Sequence, residues 1–179
     1  ALRSIPNLEE YTLIYPCPKG RILTQETVTH WSSDLQDKVK KGIVFISGYY
    51  EGVDERIFDL FPIQRVSLGN YILSFSDTAA MVMAEATIRL VPGVVGKEKS
   101  VQEDSIVSGL LEHPYYTVPQ SFEGVEVPEV LRSGHHQNIQ KCQRKESLKQ
   151  TLFRRPSLLK EAKLSKSDKK ILTELLKNN

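Results

Sequence analysis

The sequence predicts an α/β domain with a parallel sheet, followed by a small α-helical C-terminal domain. Three observations lead there. Between Tyr11 and Ile46 the pattern runs apolar strand, amphipathic helix, apolar strand, the order of a parallel crossover unit. Two glycine-bearing loops, Ser47–Gly52 and Ser67–Tyr71, each follow a β-branched run. The charge also reverses along the chain: residues 1–133 hold 12 Lys/Arg against 18 Asp/Glu, and residues 134–179 hold 12 against 4.

The chain opens at Ala1 in what reads as a helix or linker, so further residues are expected upstream. Tyr11–Tyr15 is a strand, and Pro16, Pro18 and Gly20 should end it in a rigid turn. Residues 24–41 read as a helix: Thr24 is the N-cap, Glu26 suits the first turn, and Lys38, Lys40 and Lys41 suit the last. Val28, Trp31, Leu35 and Val39 recur at three- and four-residue steps and form its buried face, and Gly42 is the expected stop. Ile43–Ile46 is a buried strand. Asp54–Phe61 is a short helix with Ile57, Phe58 and Phe61 inward, and Val66–Leu68 and Tyr71–Leu73 frame the second glycine loop. The next helix, Thr78–Arg89, should be capped by Ser76 or Asp77; it is almost wholly apolar, which implies packing on both sides, one of them against a second subunit.

A polar connector over Val94–Val107 separates two domains. The expected boundaries are 1–95, a linker at 96–108, and 109–179. Prolines at 114, 119 and 128 leave turns and short helices up to Ser133. Beyond His135 the chain is helical and basic. Ser165 and Asp168 form a capping-box-like start for a last helix that buries Ile171, Leu172, Leu175 and Leu176.

The composition limits the function. A hydrophobic content of 40% supports a core, but no run approaches the ~18 apolar residues of a membrane span. No secretory signal is visible, and the expected location is cytoplasmic. Cys17 and Cys142 have no metal spacing and read as reduced thiols. His135 and His136 are adjacent with no ligand at helical spacing, so no metal site is expected. Gly48-Tyr-Tyr-Glu-Gly52 is not a dinucleotide fingerprint, there is no P-loop, and no nucleophile elbow supports a Ser/His/Asp triad. A basic segment joined to an acidic body points to a polyanionic partner, most often nucleic acid.

The segments GYYEGVDERI, SLGNYILS, IRLVPGVVG, GLLEHPYYT, GVEVPEVLRSGHH and LFRRPSLL occur in that order. Together they resemble the bacterial tRNA (guanine-N1)-methyltransferase family, TrmD, of the SPOUT superfamily, over nearly the whole chain from about Tyr11. The resemblance implies a SPOUT-type trefoil-knot α/β domain, a flexible linker and a helical C-terminal domain, working as a homodimer. It implies methyl transfer from S-adenosylmethionine to N1 of the guanosine 3′ to the tRNA anticodon. Three loops form the family's cofactor pocket, matching Pro16–Gly20, Gly48–Gly52 and Leu68–Leu73. The implied cofactor residues are Gly48, Tyr50, Glu51, Gly52, Leu68, Gly69, Asn70, Tyr71, Ile72 and Leu73. Asp104 matches the family's general base and Arg89 its charge-stabilising arginine; Arg144, Lys145, Arg154 and Arg155 would meet RNA phosphates.

The chain also departs from the family pattern. An N-terminal part, with a strand and a Gly-rich loop, has no counterpart. Tyr49 stands for an arginine, Asn70 for an aspartate, and Ser74-Phe75-Ser76-Asp77 for S-G-G-E. Tyr115 and Val118 replace a histidine and an arginine, and Cys142-Gln143 replaces a Trp-Arg pair. Phe75 and Ser76 are expected to crowd the cofactor loop and to make any positive φ there costly. The alternative is therefore a diverged knotted RNA-binding protein with weak or no methyl transfer.

Overall fold

The computed structural model of the chain describes residues 1–48, 52–95 and 109–177. The chain forms two compact units, Ala1–Glu98 and Lys99–Asn179.

The first unit is built on a three-stranded parallel sheet in the order β2-β1-β3, with β1 at Tyr11–Ile22, β2 at Gly42–Phe45 and β3 at Ile63–Ser67. Parallel pairing requires crossovers, and α1 (Gln25–Gln36) supplies the first. Thr24 caps α1 by accepting a hydrogen bond from the Thr27 amide at 3.2 Å. The core joins Ile14 of β1, Val66 of β3, Val28 and Trp31 of α1, and Met83 of α3 (Ser76–Ile88). Thr12, Leu13 and Ile14 are all buried although alternate residues face opposite sides of a strand, as befits the middle strand of a sheet covered on both faces. Tyr15 meets Phe58 of the one-turn helix α2 (Ile57–Leu60), with ring centroids 5.4 Å apart.

Four local expectations are corrected. First, β1 does not stop at Pro16. It bulges: Pro16 and Arg21 both stand opposite Val66, and residues 17–20 make an excursion before pairing resumes at Arg21. The prolines sit where the ladder is already interrupted, which a sheet tolerates. Second, α1 ends at Gln36, not Lys41. Lys38 takes a left-handed φ of 56° and Val39 is exposed, while Gly42 opens β2 rather than closing the helix. Third, β3 ends at Ser67 within the Val66–Leu68 run, and Tyr71–Leu73, expected to frame the second glycine loop with it, is itself exposed loop. Fourth, α3 has Phe75 at its N-cap, with no side-chain cap. Its inner face buries Ala79, Met83 and Thr87, while Met81, Val82 and Ile88 are exposed within this chain.

The second unit begins with a hairpin, β4 (Ser121–Phe122) and β5 (Val125–Glu126), turned at Glu123 and Gly124, both with positive φ. A short helix α4 (Glu129–Arg132) leads into α5 (His136–Arg154), and α6 (Lys166–Lys177) packs against it. Leu110, Leu148 and Thr151 are buried, and the Thr151 hydroxyl accepts the Leu111 amide at 2.9 Å. The Ser165–Asp168 capping box forms in both directions, at 2.9 and 3.1 Å. On α6, Ile171, Leu172 and Leu175 are half-buried, but Leu176 is exposed.

Candidate functional site

All three strands are parallel, so their carboxyl ends lie along one edge of the sheet, where α/β folds place ligands. The bulge of β1, the loop after β2 and the loop after β3 all emerge there. They enclose a cavity of about 270 Å³, just below the roughly 300–1,000 Å³ usual for small-molecule sites. Pro16, Cys17 and Pro18 form one wall, Gly48 and Gly52 a second, and Leu68, Gly69 and Tyr71–Ser76 the third. Sequences separated by dozens of residues thus meet in one place.

Two glycines set the second wall. A Cβ on Gly48 would lie 3.0 Å from the Gly52 carbonyl carbon, and Gly52 itself has a φ of +109°. The loop therefore closes on itself by backbone contact that no larger residue would allow without movement. The Ser47 and Ser76 hydroxyls lie 2.6 Å apart and tie this loop to the start of α3. The positive φ that would be costly at Phe75 is not required there. Phe75 is extended (φ −135°, ψ 133°), so it needs no positive φ. Its ring is 66% exposed at the cavity margin, and Ser76 makes a bond that a glycine there could not.

Of the residues expected to hold a cofactor, Gly48, Gly52, Leu68, Gly69, Tyr71, Ile72 and Leu73 line this cavity. Asn70 is exposed and is not among its lining residues. Tyr50, Glu51 and the expected base Asp104 lie outside the described residues. Arg89 is half-buried just beyond α3, its amide bonded to the Glu85 carbonyl. Residue patterning overlooked Tyr15, Val66 and Ala79 as lining residues. Tyr15 had one usable signal: it is the last residue before the prolines at a strand's carboxyl end.

In the second unit, Arg144 is engaged internally. Its Nε and Nη2 donate to both Asp168 oxygens, at 3.0 and 2.9 Å. This fork, helped by the Ser165 amide and hydroxyl, holds the buried Asp168 carboxyl well below the usual range, at about 2, and raises Arg144 in turn. Lys145, Arg154 and Arg155 are exposed with no carboxylate partner among the described residues. Lys145 and Arg154 stand nine residues apart on α5, about 14 Å along the axis at the usual helical rise.

Comparison with known proteins bears on both units. The model of the family described as tRNA (Guanine-1)-methyltransferase TrmD matches residues 1–161. Proteins named tRNA (guanine-N(1)-)-methyltransferase are similar. That of Desulforamulus reducens is 45% identical, covering 91% of this chain and 62% of its own length. That of Pelotomaculum thermopropionicum is 44% identical, covering 92% and 63%, and that of Oleidesulfovibrio alaskensis is 46% identical, covering 96% and 39%. The chain thus spans less than two thirds of the length of these relatives. With a family model matched across both units and the parallel sheet in place, the chain belongs to the tRNA (guanine-1)-methyltransferase TrmD family.

Proposed function

We propose that the chain is the S-adenosylmethionine-binding and tRNA-binding part of a cytoplasmic tRNA (guanine-N1)-methyltransferase, acting on the guanosine 3′ to the anticodon. The observation that carries this is the convergence of three strand-end loops on one glycine-walled cavity. The cavity suits the cofactor in kind: close backbone at Gly48 and Gly52 for polar groups, and Ile72, Leu73 and Phe75 for an apolar nucleoside face. When bound, S-adenosylmethionine supplies an electrophilic methyl group on a sulfonium centre.

The chain's own residues handle the proton and the charge. Guanine N1 bears a proton and is a poor nucleophile until it is removed. Asp104 is the assigned base; an ordinary aspartate, with a pKa of about 3.9, is ionised at neutral pH but weakly basic, and burial on RNA docking would strengthen it. Negative charge then develops on the guanine oxygen, where the Arg89 guanidinium is the assigned counter-charge. The linker 96–108 would carry Asp104 to the site. Lys145, Arg154 and Arg155 would meet RNA phosphates, with Arg144 bracing their helix through Asp168. The exposed Met81, Val82 and Ile88 on α3 support a second copy packing there as a homodimer.

The test is calorimetric titration with S-adenosylmethionine, followed by single-turnover methylation of a tRNA transcript. Asp104→Ala should slow transfer by about 10²–10⁴-fold while leaving cofactor affinity within about twofold. Unchanged transfer would remove the assigned role from Asp104. RNA binding without any cofactor affinity would favour the diverged RNA-binding protein instead.

A further inference from the structure

We propose that the bulge of β1 carries a second binding site, for a phosphodiester group of the RNA backbone; the proposal rests on the RNA-substrate reading above. A second cavity, of about 400 Å³, is lined by Lys19, Gly20 and Arg21 of the bulge, Thr27 of α1, and Gln64, Arg65 and Val66 of β3. It shares only Val66 with the glycine-walled cavity.

Its chemistry is that of an anion site. Three cationic side chains line it and no acidic one does. Arg65 is held in place by stacking over Phe58, at 3.7 Å from the ring centroid, and by an ion pair with Glu55. Lys19 and Arg21 are exposed, and no carboxylate among the described residues pairs with either. Thr27 and Gln64 add a hydroxyl and an amide; the Thr27 hydroxyl lies 3.0 Å from that of Thr24. An arginine fork, a lysine point charge and neutral donors form the set that phosphate oxygens accept from.

The bulge explains why the charges gather. Because Pro16 and Arg21 both stand opposite Val66, the excursion returns Arg21 to the β3 pairing line beside Arg65. Gly20 permits this close return: a Cβ there would lie 2.3 Å from the Val66 nitrogen, so the backbone lies flat against β3. Residues 1–133 hold 12 Lys/Arg against 18 Asp/Glu. Within this acidic stretch Arg65 is paired with Glu55, so Lys19 and Arg21 carry the charge of the cavity that no carboxylate among the described residues compensates, and that charge attracts a polyanion. Adjacency identifies the occupant. A nucleotide whose base reaches the first cavity runs its backbone past the shared Val66 wall, within reach of Arg21.

The experiment measures affinity for an unmodified tRNA transcript across a salt series, for the wild type, Arg21→Ala and Arg21→Lys. Arg21→Ala should weaken RNA binding about five- to tenfold near 0.1 M salt and make the log–log salt slope shallower by roughly 0.7–1. Arg21→Lys should keep the slope. Arg21 is exposed, so the thermal midpoint and S-adenosylmethionine affinity should not change. If Arg21→Ala matches the wild type in affinity and slope, this site is overturned while the proposed function stands. If the wild type binds no RNA even at low salt, both fall. If inorganic phosphate at constant ionic strength stabilises the wild type but not Arg21→Ala, and RNA affinity is equal in the two, the site takes free phosphate and the RNA assignment is overturned.

Discussion

The two units secure their key places by opposite means. In the first, shape comes from backbone meeting backbone: Gly20 against Val66, and Gly48 against Gly52. In the second, α5 and α6 are joined by a charged network in which Arg144, Ser165 and Asp168 share four hydrogen bonds of backbone and side chain. A backbone contact accepts no added atom but is indifferent to pH. A side-chain network tolerates changes of size better but titrates. The first unit should therefore be brittle to substitution and the second to acid.

The largest break should come at Gly20. Gly20→Ala places a methyl group 2.3–2.5 Å from Val66 and Arg65 backbone atoms, so β1 and β3 must separate. A loss of about 3 kcal/mol or more is expected. Trp31, the one tryptophan and a core residue of the first unit, reports this unit alone in a urea titration. A midpoint equal to that of the wild type would show that the strands part cheaply.

Next comes Asp168→Ala, which strips a cap from α6 and leaves the Arg144 fork unmatched. About 2 kcal/mol should be lost, less than for a fully buried pair because Arg144 is 41% exposed. Loss of helical circular dichroism at lower urea, with Trp31 fluorescence unmoved, would confirm that the loss is confined to the second unit. The same residue sets the acid response. Its folded carboxyl titrates at about 2, below the unfolded value of about 3.9. The stabilisation is therefore complete above about pH 4 and fades as pH falls toward 2. Asp168→Asn should flatten that part of the profile; an unchanged acid midpoint would contradict it.

The smallest effect is expected at Ser76→Ala. Removing the partner of Ser47 should lower stability by only about 0.5–1 kcal/mol and weaken S-adenosylmethionine binding a few-fold by loosening the glycine loop. Identical cofactor affinity would mean that the loop holds its shape without this bond.

Local signals were legible where the physics is local. Thr24 as a cap, Val28 and Trp31 as an inner face, and the Ser165–Asp168 box each depend on residues within one or two turns, and each formed. What depends on distant partners was misread. Prolines at 16 and 18 read as a stop because the sequence does not show that β3 would resume pairing at Arg21. The Lys-rich end of α1 read as helix, yet Lys38 turns left-handed and the chain bends toward β2, where Lys41 bonds Glu10 through both backbone and side chain. The Arg144–Asp168 pair spans 24 residues, beyond any periodicity. For the site, glycine loops after strands named two of its walls, but only the parallel order of the sheet shows that they share an edge.

The two prolines in the β1 bulge have a consequence during synthesis. β1 is the central strand, and both its partners follow it in the chain. At about 5–20 residues per second on the ribosome, the apolar Tyr11–Tyr15 run waits for seconds with both edges unpaired. Such a strand recruits copies of itself from neighbouring nascent chains. Pro16 and Pro18 have no N–H to offer, so the recruiting edge stops at five residues. The bulge that shapes two cavities in the finished fold thus also shortens the edge that the unfinished one exposes.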